Sequence, residues 1–197
     1  SYDQEDLNEE IISQYYADNQ ELSDNYARTS LHKVKLEYSH KKLSLASISL
    51  CIKHAKMLSS FLETKYDYAL MLEDDCGFMY DPKDASIESV ILNAPKDWDV
   101  IFIGGAAGIV FEDIISIKHM NGQYALADHP TTNTTSSMIF NRNSAKKTLD
   151  TILPFYLPID WQLNHVFYMN DFNVYHTRPY ICEQLSNVLF EGTVKRK

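Results

Sequence analysis

Short apolar runs alternate with segments of helical periodicity along this chain, and that alternation constrains the fold more than any other feature. The runs YALML (68–72), DVIFI (99–103) and SSMIF (136–140) have the length of strands and few polar interruptions. Runs of this kind are typical of strands covered on both faces, so we expect YALML to be a central strand. The alternation predicts an α/β sandwich that forms one domain over residues 1–197.

The intervening segments predict the helical layers. In residues 43–63, apolar side chains recur at steps of three and four, which predicts a well-buried helix. Shorter helices are predicted over 87–94, from Asn143 as N-cap, and after Pro158. Residues 123–127 favour an edge strand and residues 173–184 a single late strand. Residues 1–28 are polar and acidic, so we expect a peripheral segment.

Composition and charge exclude several classes of protein. The chain has 197 residues, 45% of them hydrophobic, which indicates a globular fold. A net charge of −9 argues against a nucleic-acid-binding surface, which is usually basic. No apolar run approaches the roughly 18 residues of a membrane span. Three cysteines, without paired metal spacing, favour a reducing compartment, so we expect a cytoplasmic protein.

The acids Glu73, Asp74 and Asp75 follow the first apolar run without a break. Ligands of α/β sheets collect at the carboxyl ends of strands, where this cluster is expected to lie. Clustered carboxylates suit a hard divalent cation, Mn²⁺ or Mg²⁺, which takes one or two of them and completes its shell with water and phosphate oxygens. An ordinary acidic turn after a strand is the alternative interpretation.

Asp160 stands at the predicted start of the helix that follows Pro158. There a carboxylate can simply stabilise the helix terminus, because free N–H groups and the helix dipole favour negative charge. It can also serve as a general base if it opens into a cleft, and the two roles are compatible. Two other polar features have simpler interpretations: His54 is expected in the core, and the hydroxyl-rich residues 131–137 in a polar loop. Binding of an acceptor sugar is the alternative for residues 131–137.

The order of these motifs resembles that of family 25 glycosyltransferases, which include lipooligosaccharide sugar transferases and collagen galactosyltransferases. The resemblance covers about residues 43–189 and depends on LSLASISLCIKHAKML, YALMLEDDCGF, DWDVIFIGG, TTSSMIFNRNSAKKTL, LPIDWQLN and RPYICEQLSNV. Residues 1–40 contain no match to the strand and basic stretch with which such domains usually open. The Gly-Cys-x-x-Ser-His stretch of the family is reduced here to ISLCIKH.

The resemblance implies a GT-A fold, a Rossmann-like α/β/α sandwich, and specific roles for the acids. Asp75 would be the main metal ligand, with Glu73 and Asp74 near the metal or the nucleotide. Asp160 would be the catalytic base. Gln184 and Ser186 would lie near the donor, and His176 is a candidate late metal ligand.

The implied activity is an inverting, metal-dependent transfer of a hexose from a nucleotide-diphosphate sugar, UDP-linked by expectation, to a hydroxyl on a glycan or protein acceptor. Two alternatives stay open. A non-catalytic domain of the same fold would bind sugar or nucleotide without turnover. A metal-dependent phosphohydrolase would need a second metal cluster or an Asp-x-Asp-x-Thr nucleophile, and the sequence shows neither.

Overall fold

The computed structural model describes residues 2–29, 41–79, 86–106, 117–130 and 134–185. A single turn of 3₁₀ helix, Gln4–Asp6, precedes the first α-helix. The α-helices are α1 Glu9–Tyr15, α2 Gln20–Thr29, α3 Leu45–Leu62, α4 Ile87–Leu92, α5 Arg142–Thr151 and α6 Ile159–Met169. The strands are β1 Tyr68–Leu72, β2 Cys76–Phe78, β3 Val100–Phe102, β4 Gly104–Ala106, β5 Ile117–Asn121, β6 Tyr124–Ala127, β7 Ser137–Asn141, β8 Val174–Thr177 and β9 Cys182–Gln184.

The main sheet has six described strands in the order β1-β7-β3-β8-β6-β5. Strands β3 and β8 are parallel, and the other neighbouring pairs are antiparallel. A second, small sheet has the order β2-β9-β4. The predicted α/β class is therefore confirmed, with a mixed rather than a parallel sheet.

The main sheet separates two hydrophobic cores, and the alternation of side chains along each strand sets which core a residue joins. On β3, Val100 and Phe102 face the larger core, which helices α3, α5 and α6 cover. Ile101, with Ile103 beyond the strand end, faces the smaller core, which contains Val90 of α4. All four strand-region residues are fully buried, as the apolar run predicted.

Helix termini follow local side-chain chemistry. Helix α3 begins after Ser44, whose hydroxyl accepts a hydrogen bond from the backbone N–H of Ser47. Helix α5 begins two residues earlier than predicted, because Asn141 rather than Asn143 is its N-cap and accepts from the N–H of Ser144. Pro158 precedes α6 without a side-chain cap, which leaves the first-turn N–H groups available to Asp160.

Three predictions about the strands are wrong. Strand β1 is not central, because among the described strands it pairs only with β7. Strand β6 lies between β8 and β5 and is not an edge. The predicted late strand is in fact two strands in different sheets, β8 and β9. An apolar run predicts that a strand is buried, but it does not predict which strands pair with it.

The N-terminal segment is polar but anchored by aromatic side chains. Tyr16 forms an isolated bridge with Phe155, and its hydroxyl accepts from the N–H of Leu43. Tyr26 is fully buried, edge-on to Trp161. Among the described helices, none has both the length and the hydropathy needed to cross a membrane.

Candidate functional site

The three acids lie in the turn between β1 and β2. The ladder with the β7 side continues one step past β1, since the N–H of Glu73 donates to the carbonyl of Ser136 over 2.9 Å. The N–H of Cys76 then donates to the carbonyl of Glu73 over 3.2 Å and closes the turn. Asp74 is exposed at its tip, while Glu73 and Asp75 are partly buried. The cluster is therefore held by backbone hydrogen bonds on both sides.

Glu73 is fixed by side chains from two other elements. The Thr135 hydroxyl donates to its Oε1 over 2.5 Å, and His54 Nε2 lies 3.8 Å from the same oxygen. The Glu73 side chain is only 14% exposed. Burial raises the pKa of this carboxyl, the Thr135 bond opposes that shift, and the charges of Asp75, Asp160 and Asp74 add to it. Glu73 therefore holds its proton more tightly than an exposed glutamate does.

His54 is buried in α3, as predicted, but its ring also faces the acidic turn. Its Nδ1 lies 3.0 Å from the carbonyl of Leu50, one helical turn earlier. A carbonyl only accepts, so Nδ1 carries a hydrogen and, in neutral imidazole, Nε2 presents a lone pair to Glu73. Burial lowers the pKa of His54. The ring thus orients a neutral nitrogen toward the carboxyl group.

Asp75 is joined to the end of β9. Its Oδ2 accepts from Gln184 Nε2 over 3.0 Å, and its backbone carbonyl accepts from the N–H of Leu185 over 2.8 Å. Its Oδ1 is buried and has no hydrogen-bond partner among the described residues. The sequence placed Gln184 near the donor, which stays a prediction, and did not anticipate its contact with Asp75. A buried carboxylate oxygen without a partner is costly in isolation, which favours a cation there.

Asp160 lies in the first turn of α6 and is partly exposed to a cavity. Burial raises the pKa of its carboxyl, while the backbone N–H groups of Trp161 and Asp160 oppose that shift. The helix start thus fixes the carboxylate in position, as the sequence predicts, and its surroundings make it more basic than an exposed aspartate. Both properties suit a group that accepts a proton.

One cavity of about 280 Å³ connects these elements. It brings Asp160 and Glu73 together, although they are 87 positions apart in the sequence. Side chains from five separate segments line it: Ser47, Leu50, Glu73, Thr134, Thr135, Pro158, Ile159, Asp160 and Gln184. The lining combines carboxylates, hydroxyls and an amide with apolar groups, and none of its described residues is Lys or Arg.

The predicted metal ligands are not all assembled. In the described parts of the chain, no three His, Cys, Asp or Glu side chains form a cluster that could hold a metal. His176 is fully buried on β8, with its ring stacked on Phe102 at a centroid distance of 4.9 Å. Asp75 and Glu73 lie together in the acidic turn, and His176 does not join them in such a cluster. Ser186 lies outside the described residues.

Thr135 was not among the residues predicted to form the site. A polar loop was the default interpretation of residues 131–137, with acceptor-sugar binding as the alternative, and Thr134 and Thr135 line the cavity. Thr134 has a φ of 77°, a left-handed conformation that a β-branched residue rarely adopts. Such strain persists where the surrounding structure requires it and often marks functional sites.

Contacts between loop side chains and the acids thus complete a site that the sequence showed only in parts. The acidic turn, the Asp160 carboxylate and the strained hydroxyl-rich loop meet at one cavity. Compared with known proteins, the chain matches no protein-family model and no curated protein.

Proposed function

We propose that this protein is a metal-dependent inverting hexosyltransferase of the GT-A type. It would transfer a sugar from a nucleotide-diphosphate donor to a hydroxyl group on a glycan or protein acceptor. UDP is the nucleotide expected in that donor. The observation that carries the proposal is the cavity shared by Asp160 and the acidic turn, with Gln184 linking that cavity to Asp75. The order of motifs that resembles family 25 glycosyltransferases supports the same activity.

At the donor end, Asp75 would hold Mn²⁺ or Mg²⁺. These ions take one or two protein carboxylates and complete their shells with water and substrate phosphates, so a three-residue cluster is not required. The buried Oδ1 of Asp75, which lacks a partner among the described residues, fits that need. The bound ion would neutralise negative charge on the departing diphosphate. Gln184 orients Asp75 by donating to its other oxygen.

At the acceptor end, Asp160 would be the general base. Its raised pKa makes the carboxylate a stronger base, so that proton transfer from a hydroxyl to Asp160 is more favourable. The first turn of α6 fixes its position, so little reorganisation is needed during attack. Attack on the face opposite the diphosphate would invert the configuration at the sugar carbon.

The lining of the cavity suits a neutral sugar. Sugars present hydroxyl groups at their edges and C–H groups on their faces, and the lining offers polar groups together with Leu50 and Ile159. The carboxylates of Glu73 and Asp160, with no basic side chain among the lining residues that the structure describes, would repel a sugar that carries a carboxylate. A neutral hexose is therefore the expected substrate.

The test is donor hydrolysis and transfer with Mn²⁺ across a panel of nucleotide sugars. Asp160→Asn should lower turnover by about 10²–10⁴-fold, the usual contribution of a general base, while nucleotide binding persists. Asp75→Ala should abolish metal-dependent nucleotide binding. Exposed Asp128 supplies the control Asp128→Asn, which should leave both properties unchanged.

Each alternative has its own signature in the same assay. Binding without turnover in the wild-type protein would identify a non-catalytic domain. Phosphate release that does not depend on the sugar would identify a phosphohydrolase. Near-normal turnover of Asp160→Asn would refute the assignment of the base even if the transferase activity were found.

A further inference from the structure

The outer edge of β1 carries a regular set of backbone groups that point away from the sheet. Asp67 O accepts from Arg142 N, and Glu73 N donates to Ser136 O. Residues in hydrogen-bonded pairs alternate along an antiparallel ladder, so odd-numbered residues from 67 to 73 bond toward β7. The N–H and C=O groups of Tyr68, Leu70 and Leu72 therefore point outward.

The same three residues present apolar side chains to solvent. Tyr68 is 46% exposed, Leu70 39% and Leu72 38%. Within the described parts of the chain, no strand pairs with this side of β1. An edge strand with exposed apolar side chains is a template for pairing with another strand, and natural edges usually carry charges or bulges that prevent it. Strand β1 carries neither within its five residues.

A groove of about 550 Å³ runs along this edge between β1 and α3. Met57 and Phe61 of α3 and Leu70 of β1 form apolar parts of its lining. Among the described residues of its lining, Lys53 and Lys56 are the charged ones, in a chain whose net charge is −9. Lys53 precedes His54 on α3, and the ring of His54 faces Glu73, which directly follows β1. The basic end of the groove therefore lies toward the C-terminal end of β1.

The polarity of this groove selects its occupant. A lipid or another purely apolar ligand would leave the outward N–H and C=O groups unpaired, whereas an extended polypeptide would pair with them. Lys56 Nζ lies over the rings of Tyr2 and Tyr15, and no carboxylate is among the lining residues that the structure describes, so the two lysines favour an acidic group at one end of that polypeptide. Lys53 is bonded to Asp3, but both side chains are about half exposed, so exchange of this partner costs little.

A second copy of the chain fits the edge less well. In the twofold antiparallel register centred on Leu70, which uses all six outward groups, Asp67 of each copy would stand opposite Glu73 of the other. Like charges opposite each other destabilise strand pairing, and each copy has a net charge of −9. Self-pairing is therefore disfavoured relative to a partner with apolar residues and one acidic end.

We infer that the β1 edge is a strand-addition site for an extended segment of a partner polypeptide with apolar side chains at alternate positions and an acidic group beside Lys53 and Lys56. The partner strand extends the main sheet by pairing with Tyr68, Leu70 and Leu72. This site lies on the outer edge of β1 and is independent of the chemistry proposed for the cavity.

The probe is a capped, fluorescent peptide of alternating valine and threonine with glutamate at each end, N-methylated along one edge so that it cannot assemble with itself. A matched peptide carries lysine at each end. Fluorescence anisotropy should show tighter binding of the glutamate peptide, and hydrogen exchange should slow at the Leu70 and Leu72 amides on binding. Leu70→Lys should weaken binding at least about tenfold, since it disrupts the apolar contact and the edge.

Two further variants keep the test decisive. Leu70→Pro removes one outward N–H, a change that an edge strand tolerates, and should also weaken binding. Leu92→Lys alters a residue that is 75% exposed on α4 and should leave binding unchanged. Absence of peptide binding, or equal binding to Leu70→Lys and wild type, would overturn the inference. A dimer in sedimentation that Leu70→Lys abolishes would also overturn it, by identifying a second copy as the occupant.

Discussion

The hydrogen bond from Thr135 to Glu73 can be removed with little change of shape by Thr135→Val. The bond is 2.5 Å long, and the Glu73 side chain is only 14% exposed, so water replaces the lost donor poorly. A hydrogen bond to a charged group contributes about 1.5–3 kcal/mol to stability. For a chain of this size, where 1 kcal/mol shifts Tm by about 2–4 °C, we expect Tm to fall by roughly 3–12 °C.

The pH dependence of this loss has a definite sign. Burial raises the pKa of Glu73 and the Thr135 bond opposes that rise, so Thr135→Val should raise the pKa further. A carboxyl with a raised pKa binds its proton more tightly in the folded state, so the free energy of unfolding falls as pH rises from the ordinary pKa through the raised one. The variant should therefore be more strongly destabilised at neutral pH than in acid.

A double-mutant cycle isolates the interaction. Glu73→Met keeps the side-chain length and removes the acceptor, and Thr135→Ser keeps the hydroxyl as a matched control. Chemical denaturation of wild type, Thr135→Val, Glu73→Met and the double variant should give a coupling energy of about 1.5–3 kcal/mol. A coupling below about 0.5 kcal/mol, within the range of additive pairs, together with equal destabilisation by Ser and Val, would refute this reasoning.

Three other substitutions test separate parts of the structure. Asp160→Asn should raise Tm at neutral pH, because ionisation of a carboxyl with a raised pKa opposes folding. The gain in Tm over wild type should shrink as pH falls, which thermal melts across a range of pH check. Gln184→Leu should lower the free energy of unfolding by about 1–3 kcal/mol, because Asp75 loses its amide donor, and it should weaken Mn²⁺ binding in calorimetry. Tyr26→Ala should cost about 3 kcal/mol or more in denaturant titrations if this fully buried ring anchors the N-terminal segment.

The sequence predicted the layers well and the neighbours of each strand poorly. Strand β3 is apolar at every position because both faces are covered, and that pattern is local. Strand β1 has a similar apolar run, yet it lies at the edge of the described sheet. Which strand lies beside it depends on contacts distant in sequence, and hydrophobic periodicity contains no record of them.

The site shows the same division between local and distant information. The position of Asp160 in the first turn of α6 followed from Pro158 and the helical pattern. The resemblance of motif order placed Gln184 near the donor, and its contact with Asp75 emerged only from the structure. Thr135 and the ring of His54 reach Glu73 from separate segments, and a lone threonine or histidine carries no signal of such a contact.

The central claim is that Asp75 holds a divalent cation next to the cavity that contains Asp160. Anomalous diffraction from crystals grown with Mn²⁺ and a nucleotide-diphosphate sugar tests it most directly. We predict a manganese peak at coordination distance from a carboxylate oxygen of Asp75, with the diphosphate on the same ion and the sugar directed toward Asp160. Anomalous maps at saturating Mn²⁺ and donor that place no ion at Asp75 would contradict the account.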